Sequence, residues 1–138
     1  MKLQQKLDMR IIGIISTFEK ITRTHAVDFL ESKGYLTFLV KDNSMRKAVG
    51  KNGANIKKLT YLLKQKVIIL ELSKNPKKFI TSLIYPLTPQ SIDQEDDILK
   101  IKLSSKEEKA RVIGRGASKI DFINDLLKRH YKLTLKIV

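Results

Sequence analysis

Two stretches of this chain match at a constant separation of 64 residues, and that repeat limits the architectures open to it. Val49-Gly50-Lys51-Asn52-Gly53-Ala54-Asn55-Ile56 pairs with Ile113-Gly114-Arg115-Gly116-Ala117-Ser118-Lys119-Ile120. The same offset pairs Lys47 with Arg111, Leu59 with Ile123, Leu62 with Leu126, Leu63 with Leu127 and Lys64 with Lys128. A glycine loop and the apolar stripe of a following helix therefore recur together. A chain of 138 residues has room for two small copies of one module.

The residues of the loop point to an anion. Glycine takes positive φ and lets another backbone approach closely. The helix that follows, roughly Ala54 to Gln65, carries Ile56, Leu59, Leu62 and Leu63 on one face. Its free N–H groups and positive dipole end lie beside the loop and favour a phosphate. Lys51 adds a mobile positive charge. A single G-x-x-G is equally compatible with a tight helix–turn–helix, and the second copy is what favours a shared function.

Charge agrees with such a partner. The chain has 28 basic and 14 acidic residues, a net +14, which suits nucleic acid or an anionic membrane surface. Solubility charge explains part of such an excess as well. Residues 1–85 carry +11 and residues 86–138 carry +3, so the first copy is expected to lead in electrostatic attraction. The absence of cysteine excludes disulfides and thiolate metal sites, and His25 and His130 lack partners at ligand spacing. No cofactor is implied. The run Ile11-Ile12-Gly13-Ile14-Ile15 is too short for a signal peptide core or a membrane span, and a cytoplasmic protein is expected.

Along the chain, residues 9–21 carry Ile11, Ile14, Ile15, Phe18 and Ile21 on a helical stripe. This predicts an amphipathic helix packed on the first module. Membrane binding by this helix is disfavoured by its few basic residues and the lack of tryptophan. Residues 26–31 and 35–40 predict a β-hairpin with Ser32-Lys33-Gly34 as its loop. The second of these strands is apolar on both faces, so its outer side needs a cover, either the N-terminal helix or the second module. Residues 45–49 predict a short helix and 67–72 a strand. Asn75 as cap, Pro76 at the first helical position and the stripe Phe79, Ile80, Leu83, Ile84 predict a helix that Pro86 stops. In the second copy, 91–94 is a weakly signalled strand and Glu95-Asp96-Asp97 a turn. Residues 98–103 return as a strand. Ser104 or Ser105 caps a helix to Ile113, 118–131 is helical, and 132–138 alternates as a strand.

Each module thus reads strand, strand, helix, glycine loop, helix, strand. This is an α+β fold with a three-stranded sheet covered by helices on one face. The expected organisation is an N-terminal helix and first module at 1–74, a helical connector at 75–89, and a second module at 90–138.

G-x-x-G is the signature loop of the KH nucleic-acid-binding module. Two such modules, a helical N-terminus and a proline-bearing hinge resemble the short archaeal form of the NusA transcription factor family. The resemblance covers essentially the whole chain. Residues 49–56 are similar to the family's first loop, Asn75-Pro76-Lys77-Lys78-Phe79-Ile80 to its inter-module helix, and Ile113-Gly114-Arg115 with Leu127-Lys128-Arg129-His130 to its second module. Membership would imply two tandem type II KH domains, single-stranded RNA binding and a role in transcription elongation or termination. RNA polymerase would be a partner. The second loop departs from the pattern, with Ala117 where the first has Gly53 and with Gly116 beside it.

The mechanism this implies is binding without chemistry. Gly50, Lys51, Asn52 and Gly53 clamp the backbone of about four unpaired nucleotides. Lys51 pairs with phosphate, Asn52 bonds phosphate or sugar, and Lys57 flanks the strand. Bases lie between helix and sheet against aliphatic side chains. In the second copy Gly114, Arg115, Gly116 and Lys119 are the corresponding groups. Three rivals stand beside this reading. An enzyme would need Glu95-Asp96-Asp97 to hold Mg²⁺, although consecutive turn residues diverge. A ribosome-associated or ribosome-assembly KH protein would share the RNA chemistry, and a protein–protein adaptor would leave the charge unused. A monomer is expected.

Overall fold

The computed structural model describes residues 9–32 and 34–138. They form two compact units, one ending at Ser73 and the other beginning at Lys74.

The first unit runs α1 (Met9–Thr22), β1 (Asp28–Ser32), β2 (Tyr35–Lys41), α2 (Met45–Val49), α3 (Ala54–Leu63) and β3 (Lys66–Leu72). Its sheet has the order β1-β2-β3, with β1 antiparallel and β3 parallel to β2. A parallel neighbour demands a crossover, and α2, the glycine loop and α3 supply it. Ser32 pairs with Tyr35, so it ends the strand instead of opening the turn. Lys33, the middle of the expected loop, lies outside the described residues.

Leu36, Phe38 and Val40 of β2 share one core with Ile11 and Phe18 of α1, Ala48 of α2, Leu59 of α3 and Val67 and Ile69 of β3. The Phe18 and Phe38 rings stack with centroids 4.1 Å apart and planes 10° apart. Such a pair contributes about 0.5–1.5 kcal/mol beyond its buried area. All three helices therefore lie on one face of the sheet. The N-terminal helix does not cover the outer side of β2, although Thr37 and Leu39 on that side are buried. Leu62 also departs from expectation, being 48% exposed. At 100° per residue it falls on the far flank of Leu59 from Ile56 and Leu63, past the edge of the stripe.

The second unit repeats the order: α4 (Pro76–Ile84), β4 (Ser91–Glu95), β5 (Ile98–Lys102), α5 (Lys106–Ile113), α6 (Ser118–Tyr131) and β6 (Thr134–Ile137). β4 is antiparallel and β6 parallel to β5. On β5 burial alternates, with Leu99 and Ile101 inside and Lys102 outside. The helix at 76–84 was expected as a connector. It is instead part of this unit and stands where α1 stands in the first. Phe79, Ile80 and Ile84 are buried, and the Phe79 ring lies 5.4 Å from that of Tyr131 on α6. The physical reason is the apolar stripe of α4, which is buried within this unit.

Local signals set the helix starts. Asn75 Oδ1 accepts the Lys77 N–H at 2.9 Å, with Pro76 at the first helical position. Ser105 Oγ accepts the Glu108 N–H at 3.2 Å, and the Glu108 carboxylate accepts from the Ser104 N–H at 3.0 Å and its hydroxyl at 2.6 Å. No helix among the described residues is long and apolar enough to cross a membrane.

Candidate nucleic-acid interface

Both glycine loops connect two helices in the same backbone conformation. Gly50 has φ 81, ψ 165 and Gly114 has φ 76, ψ 169. Asn52 (φ 56, ψ 29) matches Gly116 (φ 61, ψ 29), and Gly53 (φ 74, ψ 19) matches Ala117 (φ 63, ψ 19). Each loop closes on itself: the Gly53 N–H donates to the Gly50 carbonyl at 3.1 Å, and that of Ala117 to Gly114 at 3.2 Å. No side chain caps α3 or α6; the Ala54 N–H donates to the Lys51 carbonyl and the Ser118 N–H to the Arg115 carbonyl, and the positive dipole end of each helix faces its loop.

The glycines have different duties. A Cβ on Gly50 would meet Asn55 Cγ at 2.9 Å and the Asn55 backbone N at 3.0 Å. One on Gly114 would meet Lys119 Cβ at 2.8 Å and its N at 2.9 Å. Their φ/ψ values also belong to a region used almost only by glycine. Gly53 and Gly116 face open space. The Ala117 Cβ therefore leaves the second loop in the shape of the first, at the cost of a left-handed alanine. Asn55, which the sequence reading passed over, binds the two helices together: its Nδ2 donates to the Lys47 carbonyl at 3.1 Å. An asparagine just inside a helix start was the available signal.

Lys51, Asn52 and Lys57 are exposed on the first loop and helix. Arg115 and Gly116 are exposed on the second. Lys119 is half-buried and takes the place of Asn55, not of Lys57. The residue at the place of Lys57 is Asp121. The unit boundary also reassigns Lys74, Lys77 and Lys78 to the second unit. The first unit then has 14 basic and 6 acidic residues, +8, and the second 14 and 8, +6. Net charge no longer separates the copies strongly; the residues around the loops do. Glu95, Asp96 and Asp97 divide between β4 and its turn, and Glu95 pairs with Lys100 Nζ at 3.0 Å.

These paired loops set the frame for comparison with known proteins. A protein of Methanocaldococcus jannaschii described as a probable transcription termination protein NusA is 30% identical over 129 residues, which is 90% of this chain and 70% of that protein. The chain belongs to the NusA family. A NusA relative from Thermoplasma acidophilum, described in the same words, is 23% identical over 130 residues, covering 92% of this chain and 90% of its own length. A third, from Methanococcus vannielii, is 31% identical over 87 residues, half of its own length. Among solved structures, the crystal structure of APE1850 matches with a TM-score of 0.70 and 22% identity over 92% of this NusA-family chain and 96% of that one, a likeness of fold. No protein-family model matches the chain.

Proposed function

We propose that this chain is a non-enzymatic, single-stranded RNA-binding factor of transcription elongation or termination, built from two tandem type II KH domains. The observation that carries this reading is the recurrence of one loop backbone at two helix starts without a side-chain cap, each with an exposed cation, Lys51 or Arg115. Gly50 and Gly53 bring the strand's backbone to the helix end, Lys51 pairs with phosphate, Asn52 bonds phosphate or sugar, and Lys57 flanks the path. Gly114, Arg115, Gly116 and Lys119 hold a second segment of the same strand. The names of the relatives favour transcription over ribosome assembly, with RNA polymerase as the protein partner and the cytoplasm as the site of action.

Affinity capture of the tagged chain from cell extract, with and without ribonuclease, tests this role. RNA polymerase and nascent transcripts in the eluate are the expected result. Ribosomal subunits without polymerase would overturn the transcription assignment and favour the ribosomal alternative.

A further inference from the structure

In the second unit, α6 and β6 border an open cleft of about 340 Å³ lined by Asp121, Asn124, Asp125, Lys128 and Thr134. The register fixes the counterparts of these residues in the first unit. The helices align at the offset of 64, and Lys66 opposes Tyr35 across β2 and β3 as Thr134 opposes Ile98 across β5 and β6. Lys57, Thr60 and Tyr61 hold the places of Asp121, Asn124 and Asp125, and Lys66 that of Thr134, while Lys64, at the offset of Lys128, closes the shorter α3. Two carboxylates and one ammonium in the second unit become three ammonium groups and a phenol in the first.

Tyr61 is 79% exposed, the largest exposure of any tyrosine described. It follows Lys57 by four residues on the same face of α3, and Lys64, the left-handed residue that closes the helix, comes three residues later. Tyr61 lies about 10 Å along the helix axis from the loop. Lys66, at the same end of the unit, leans its ammonium over the Tyr35 ring at 5.5 Å from the centroid. A large aromatic ring left in water between cations has the composition of a surface on which an unpaired base stacks while its phosphates are neutralised. Tyr61 has no such role in holding the core, which Leu59 fills from the opposite side of the helix.

We propose that Tyr61 is a base-stacking platform for RNA that has passed the Gly50–Gly53 loop, with Lys57 and Lys64 holding the adjacent phosphates, and that the first unit alone has it. The proposal rests on the RNA-binding reading above. In the second unit Asp121 stands at the place of Lys57, and Asp125, paired with Arg129 Nε at 3.3 Å, at that of Tyr61, so this flank offers no ring for a base and a carboxylate where the first unit has an ammonium. The two units then divide the work: one reads backbone and base, the other backbone.

Fluorescence anisotropy of the full chain with single-stranded RNAs of about four and about twelve nucleotides tests this. Tyr61→Ala should weaken binding to the long RNA by about tenfold, Tyr61→Phe should retain it, and neither should change binding to the short one. An abasic substitution in the long RNA should remove the difference between Tyr61→Ala and the wild type. Circular dichroism melts should be unchanged, given the exposure of the ring. If Tyr61→Ala binds long RNA as the wild type does while Lys51→Asp loses affinity, the stacking proposal fails and the loop clamp stands. An equal loss in Tyr61→Phe would mean hydroxyl bonding and would also overturn it. Absence of RNA binding by the wild type would sink both readings.

Discussion

A methyl group at Gly50 would press on Asn55, while one at Gly53 would enter open space. The two glycines of one motif therefore make separable predictions. Gly50→Ala combines glycine-only dihedrals with a backbone clash, and should destabilise the first unit by about 2–6 kcal/mol, from strain of about 1–3 with overpacking of about 1–3 added. Gly53→Ala should cost about 1 kcal/mol, the left-handed penalty alone, because Ala117 already tolerates the same conformation. Urea denaturation of both variants checks the order; equal costs would mean that the Asn55 contact does not constrain the loop. The sequence made the glycines visible but not this division, because a distance to Asn55 is a fact of the folded helix pair. Ala117 departs from the pattern in the sequence, and the open space at the matching Gly53 shows that such a place has room for a Cβ.

Among the elements, helix starts were the most legible, because a cap is a local bond between near neighbours. Asn75, Pro76 and Ser105 stand where their side chains imply. Leu62 escaped because a stripe counted without its angular limits takes in a residue past the edge, and the membership of α4 in the second unit escaped because it is set by tertiary packing, such as that of Phe79 against Tyr131. The strand expected at 98–103 stands at Ile98–Lys102, with Leu99 and Ile101 buried and Lys102 exposed. The start of α5 also predicts a pH dependence. Hydrogen bonds from the Ser104 hydroxyl and backbone N–H, the hydroxyl first, hold the Glu108 carboxyl below its ordinary 4.5. A depressed folded pKa gives stability that is present above the unfolded pKa and is lost as pH falls through the folded one. Thermal melts should therefore show Glu108→Gln less stable than the wild type at neutral pH, with the gap closing as pH drops below 4.5. A gap that stays constant with pH would mean that the bond does not depend on ionisation.

At the scale of the whole molecule, two copies on one chain gain affinity only when one strand can reach both. With Lys57 replaced by Asp121, the second loop should be the weaker, so Arg115→Asp should weaken binding to short RNA less than Lys51→Asp does. The difference should narrow on longer RNA. The reverse order in parallel titrations would make the second loop the primary site. With about three to five phosphate contacts, the log–log salt slope should lie between about −2 and −3.5. A slope near zero would detach the net charge of +14 from nucleic acid. The central claim, that the Gly50–Gly53 loop clamps single-stranded RNA, is tested most directly by titrating the Lys51→Asp, Asn52→Asp double variant against a single-stranded oligonucleotide. Both side chains are exposed, so circular dichroism should match the wild type. Two carboxylates beside a phosphate should lower affinity by more than about tenfold, the worth of one charge-assisted bond. A folded double variant that binds RNA as tightly as the wild type would contradict the clamp.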